Sequence, residues 1–363
     1  MRLSVILSII LLLILVAGLL IVHSDRAIRP ASPTGKPVAI AAPLGLPAVV
    51  SPADNPPTAE TIALGRKLYY DPALSVDSTV ACASCHHPDH GFSDGRQVST
   101  GVQGKTGTRN SPSVFNSAYF ATQFWDGRAP SLEVQAEGPV QNPVEMAHTL
   151  KGVEQRLMND PEYRRLFKQA FGSDAITYDM VGKAIAAFER TVISGNSPFD
   201  RYYYGHDEKA LSPAAIRGFK VFSSKDKGNC TACHVIGSDY ALFTDNKFHN
   251  IGVGVQDVEG KQFADLGRYQ VTKNDADRGA FKTPSLRNVA LTAPYFHDGS
   301  LKTLKDVVDY YIGAGNSNPY LDKEIHALDF LTGQERADLL AFLDALTGEM
   351  PPDVGPPASG TTK

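Results

Sequence analysis

Thiols and indoles are scarce here: 363 residues hold four cysteines and a single tryptophan, Trp125. Methionine is nearly as rare, with five in all and none after Met180 until Met350. That shortage removes methionine as a metal ligand from almost the whole second half. No long basic run occurs, and the net charge of -4 argues against nucleic acid as a partner. Sustained period-two alternation is also missing, which excludes an all-β architecture. No A-x-A-like cleavage site follows the apolar N-terminal stretch.

What is present is concentrated. All four cysteines sit in two pentapeptides, Cys82-Ala83-Ser84-Cys85-His86 and Cys230-Thr231-Ala232-Cys233-His234. Cys-x-x-Cys-His attaches haem covalently through two thioethers and leaves the histidine beside the iron. The competing reading is a pair of zinc knuckles. Each pentapeptide offers at most three donors, one short of a structural zinc site. Two c-type haems are therefore expected, and no thiol then remains for a disulfide. They imply redox chemistry outside the cytoplasm.

Leu3 to Val22 is an apolar run that as a helix would span about 30 Å, the thickness of a hydrocarbon core. With Arg2 cytoplasmic it reads as a single uncleaved anchor that leaves the remainder periplasmic. The alternative is a cleaved signal followed by a soluble periplasmic protein. The expected division is 1-26 anchor or signal, 27-57 proline- and alanine-rich tether, 58-205 first haem domain, 206-350 second haem domain and 351-363 disordered tail. The fold class is mainly α, with two cytochrome c-like haem domains in tandem. A weak repeat links them: Gly65-Arg66-Lys67-Leu68-Tyr69 precedes the first haem motif and Gly218-Phe219-Lys220-Val221-Phe222 the second. Ser212 with Pro213 predicts one helix start, and the capping box of Thr332 and Glu335 another.

Several words in order resemble the bacterial dihaem cytochrome c peroxidases, including the branch with the methylamine-utilisation enzyme that matures a tryptophan-derived quinone. They are Ala63-Leu64-Gly65-Arg66-Lys67-Leu68-Tyr69, Arg109-Asn110-Ser111-Pro112, Phe124-Trp125-Asp126-Gly127-Arg128, Gly138-Pro139-Val140-Gln141-Asn142-Pro143-Val144-Glu145-Met146, Pro284-Ser285-Leu286-Arg287-Asn288 and Leu291-Thr292-Ala293-Pro294-Tyr295-Phe296-His297-Asp298-Gly299. The resemblance implies that hydrogen peroxide is reduced at the N-terminal haem. It places Glu145 there as acid/base, with Gln135 and Pro139 lining the pocket, and makes Trp125 the relay between haems. It also matches Asn110, Thr292 and Pro294 to a calcium site at the domain interface.

Two departures matter. Where many members carry a histidine in the loop after the first motif, this chain has Val102, which implies a five-coordinate haem needing no reductive activation. His148 is the one histidine that would upset this, whereas His87 and His90 read as loop residues. The family's distal ligand to the second haem lies fourteen residues after His297, at Tyr311. The peroxidase branch has methionine there and the quinone-maturing branch tyrosine. The alternative makes Tyr310 and Tyr311 an ordinary aromatic pair, with His249, His297 or Met350 as ligand. Electrons are expected from a small periplasmic c-type cytochrome or cupredoxin. A peroxide-driven oxidase acting on a protein or small molecule is the rival, and a non-catalytic electron carrier the third reading. The resemblance admits a homodimer that nothing in the sequence requires.

Overall fold

The computed structural model describes residues 31–358. The apolar run from Leu3 to Val22 lies outside them, and among the described residues no helix is long and apolar enough to cross a membrane. Eleven α-helices are described. The first half carries α1 Ala59–Tyr70, α2 Leu132–Gln135, α3 Glu137–Gln141, α4 Leu150–Asn159, α5 Pro161–Phe171 and α6 Tyr178–Glu189. Then come α7 Pro198–Tyr203, α8 Pro213–Ser223, α9 Tyr269–Thr272, α10 Leu304–Ile312 and α11 Gly333–Asp344. The one sheet among the described residues is a two-residue antiparallel pair, β1 Phe248–His249 and β2 Phe281–Lys282.

Local chemistry starts these helices where it should. The Thr58 hydroxyl accepts the Thr61 N–H and opens α1 as a capping box. Ser212 caps α8, with Pro213 at its first position. Thr332 and Glu335 form the reciprocal box at the head of α11.

The repeat seen in the sequence is a packing device. Gly65 on α1 is where the Ala184 carbonyl of α6 presses in, and Gly218 on α8 meets the Asp338 carbonyl of α11 in the same way. A Cβ at either glycine would collide with that backbone. One core gathers Leu64, Leu68, Val153, Phe167 and Val181; a second gathers Phe199, Phe222, Phe243, Phe342 and Leu346. Each therefore centres on one glycine-mediated helix pair.

Two segments depart from expectation. Residues 31–57, read as a tether without a core of its own, are a strap laid across both halves. Thr34 N–H donates to Ala170 O, and Lys183 Nζ to Ala31 O in the first half. Gly45 O accepts from Ala241 N–H and from Arg287 Nη2 in the second. The tail is also ordered as far as it is described: Val354 is buried and its carbonyl accepts the Tyr70 hydroxyl, while Arg66 donates to Gly355 O. Backbone carbonyls make these contacts, so composition did not reveal them.

Candidate functional site

Each haem motif folds as a single 3-10 turn, Cys82–Ser84 and Cys230–Ala232. In both, the histidine N–H returns to the carbonyl of the first cysteine, at 3.0 Å for His86 and 2.9 Å for His234. One turn thus brings two sulfurs and an imidazole together. Nδ1 of His234 lies 2.8 Å from Phe243 O, and Nδ1 of His86 lies 3.3 Å from Phe92 O and 3.2 Å from Ser111 Oγ. A carbonyl at Nδ1 holds the proton there and leaves Nε2 free to ligate. Burial, the largest cause, lowers the pKa of both imidazoles and keeps them neutral, as a metal ligand must be. None of the four cysteines is in a disulfide. This donor set fits covalent haem at both places.

Cys230, Cys233, His234 and Tyr311 line one large cavity, which Trp125 and His297 also line. Tyr311 of α10 and the second motif thus face the same cavity. Burial raises its phenol pKa, followed by the nearby Cys230 and Cys233 sulfurs. The other candidate ligands differ in availability. Both nitrogens of His249 are engaged, Nδ1 with Asp322 Oδ2 at 2.6 Å and Nε2 with Asp245 Oδ2 at 2.9 Å. The Cys233 sulfur and these carboxylates push its pKa up to about 10. Cys233, Asp245 and His249 also form a three-donor cluster. With the sulfur committed to haem, two donors remain, too few for a cation site. Met350 is 49% exposed. His297 is buried, stacked on Phe281 at 3.5 Å between centroids, and held by burial down to about 4.

Trp125 sits in a tight turn where Phe124 has φ 68°. Its indole N–H donates to Asn110 O at 2.9 Å, and its carbonyl accepts Lys282 N–H at 2.8 Å. Asn110 N–H in turn donates to His297 O at 2.7 Å. Arg109 and Asp126 pair beside this knot, and Asp265 of the second half binds Arg109 as well. Asn110, Thr292 and Pro294 line the same cavity. The Asn110 amide group donates to Arg96 O and Gln97 O.

The residues matched to the first haem assemble on one loop-and-helix unit. Pro139 lies in α3 and its carbonyl accepts Met146 N–H. Glu145 O accepts Val102 N–H at 2.8 Å, and Val102 is 1% exposed. Gly101 must be glycine, because a Cβ would strike the Val144 and Glu145 backbone. The Glu145 carboxylate accepts from the Asn142 amide. Burial raises its pKa above 4.5, against the opposing pull of Asn142 and Arg128. Gln135 is half-buried at the end of α2. His148 takes Thr149 N–H on Nδ1 and rests its ring on Gly152 of α4.

Two features escaped sequence reasoning. Glu189 is buried at the end of α6 with its carboxyl pushed up to about 8 by desolvation, and it bears on Tyr69 and Cys82. The second is a further repeat. Phe124-Trp125-Asp126-Gly127 and Phe296-His297-Asp298-Gly299 form the same turn, with φ 68° and 69° at the phenylalanines. Gln123 pairs Ala129 across the first, and Tyr295 pairs Leu301 across the second. The two Phe-x-Asp-Gly words were the available signal.

The chain is similar to known proteins over most of its length. A family model described as di-haem cytochrome c peroxidase matches residues 59–208. The methylamine utilization protein MauG of Methylophilus methylotrophus is 40% identical over 83% of this chain and 86% of its own length. The cytochrome c551 peroxidase of Pseudomonas aeruginosa is 40% identical over 79% of each. A crystal structure of a MauG-like protein associated with microbial copper homeostasis superposes with a TM-score of 0.77 at 36% identity, covering 85% of this chain and 95% of that one.

Proposed function

Because the chain belongs to the di-haem cytochrome c peroxidase family, we propose that it is an oxidoreductase that reduces hydrogen peroxide to water. Reduction takes place beside Glu145 at the haem of Cys82, Cys85 and His86. When bound, the haems supply the site of peroxide reduction and the path of its electrons. Glu145 takes a proton from the inner peroxide oxygen and returns it to the outer one, so that water departs as the O–O bond breaks. Its raised pKa suits a group that must both accept and release that proton. Asn142 orients the carboxylate, while Pro139 and Gln135 wall the site. The observation that carries this reading is the packing of buried Val102 against the Glu145 backbone, beside a carboxylate held by Asn142. The residue hydrogen-bonded to Glu145 O is a buried valine, which cannot ligate iron, so this loop would bring no protein ligand to a haem held by Cys82, Cys85 and His86.

Tyr311 would join His234 in holding the second haem, a role supported by its place in the cavity and by the engagement of both His249 nitrogens. An anionic oxygen ligand there favours the higher oxidation states. Trp125 carries electrons between the haems. Asn110, Thr292 and Pro294 would hold a calcium ion, for which side-chain and backbone carbonyl oxygens with waters are ordinary ligands. The donor is a small periplasmic c-type cytochrome or cupredoxin. The chain works on the periplasmic side of the inner membrane, held by the segment from Leu3 to Val22.

A second reading keeps the peroxide step and makes the reductant a protein or small molecule undergoing oxidation. Tyr311 and Val102 favour it, as do the MauG-type relatives. Steady-state peroxide consumption with a reduced c-type cytochrome, without prior reduction of the enzyme, separates the two: rapid turnover supports the peroxidase. Electron paramagnetic resonance of the ferric protein is expected to show one high-spin and one low-spin haem. Two low-spin signals would overturn the open site and favour a plain electron carrier.

A further inference from the structure

We propose that Lys282 is the counter-ion of a haem carboxylate, fixing the haem of Cys230, Cys233 and His234 beside Trp125. The inference rests on the family's two haems and not on peroxide turnover. Lys282 is only 8% exposed and lines the same cavity as His234 and Tyr311. An ammonium group has three N–H donors. One reaches Thr122 O at 2.9 Å, and the Phe120 ring lies 4.3 Å from Nζ. No described carboxylate pairs with it, so two donors go without a protein acceptor. Among the described residues, the other deeply buried Lys and Arg side chains are matched: Arg287 by Asp200, Arg190 by Glu133, Lys183 by Asp179.

An unpaired buried charge is costly, and removing one member of a buried pair is what ordinarily creates such a cost. Desolvation alone acts on the Lys282 amine, pulling it down to about 8. The Thr122 hydroxyl next to it is also buried without a partner. Two ammonium donors left over on a cation that lines an apolar cavity call for an anion with more than one acceptor oxygen, and a haem propionate supplies that chemistry. The backbone N–H of Lys282 already holds Trp125 O. One residue therefore ties the indole to the edge of the cofactor.

The test uses the mature protein and the variants K282M and K282R. The readouts are the resonance Raman propionate-bending band of the low-spin haem and the ferric-to-ferrous ratio at the wild-type midpoint potential. K282M is expected to shift the band and to raise that ratio about tenfold, since loss of a nearby cation favours the ferric state. K282R is expected to restore both. Wild-type values in K282M, or a shift in K282R as large as in K282M, overturn the proposal. If K282M does not mature, K282R decides alone: wild-type values support the pairing and shifted values overturn it. A haem count below two in the wild-type protein would defeat the di-haem reading instead.

Discussion

At the scale of the residue, function turns on whether a polar atom has a protein partner. Glu145 keeps one amide donor and little water, so its carboxyl titrates above the ordinary 4.5. If the carboxylate form must accept the first proton, kcat/KM for peroxide falls as pH drops through that raised pKa and recovers above it. Glu145→Gln is expected to cut turnover by about 10²-fold or more and to erase this acid limb, with haem spectra unchanged. Unaltered stopped-flow rates would remove Glu145 from the proton path. The haem motifs were legible at this scale because each is contiguous in sequence. The burial of Lys282 was not, since it depends on Phe120 and Thr122 from the other half.

Elements tell a similar story. Caps are local, so Ser212, Pro213, Thr332 and Glu335 announced their helices without knowledge of the fold. The paired glycines were visible as a repeat, but their purpose was not. Gly65 and Gly218 are the places where α1 meets α6 and α8 meets α11 by backbone contact, and each substitution should push one helix pair apart. Gly65→Ala and Gly218→Ala are each expected to destabilise the protein by about 1–3 kcal/mol, the usual cost of overpacking. Chemical denaturation followed by far-ultraviolet circular dichroism would measure it. A loss confined to one of the two variants would show that the halves are not packed alike.

The whole molecule is held by contacts that composition concealed. The strap of residues 31–57 looked like a tether because proline and alanine build no core. Its carbonyls nevertheless serve distant partners, and Gly45 O completes the shell of Arg287, whose guanidinium meets both oxygens of Asp200 at 2.8 and 2.9 Å. Both side chains are almost wholly buried, at 1% and 0% exposed. Asp200→Asn leaves the guanidinium uncompensated and is expected to cost about 3–5 kcal/mol in thermal or denaturant unfolding. Limited proteolysis should then cut first within the strap, because Arg287 and Ala241 N–H together tie Gly45 O to the second half. A variant as stable as the wild type would show that the strap holds by other means.

The solitary indole has an optical corollary. Trp125 borders the chamber of the second prosthetic group, so ultraviolet emission from that one chromophore gauges cofactor loading: bright in immature polypeptide, and extinguished by energy transfer once the porphyrins are attached.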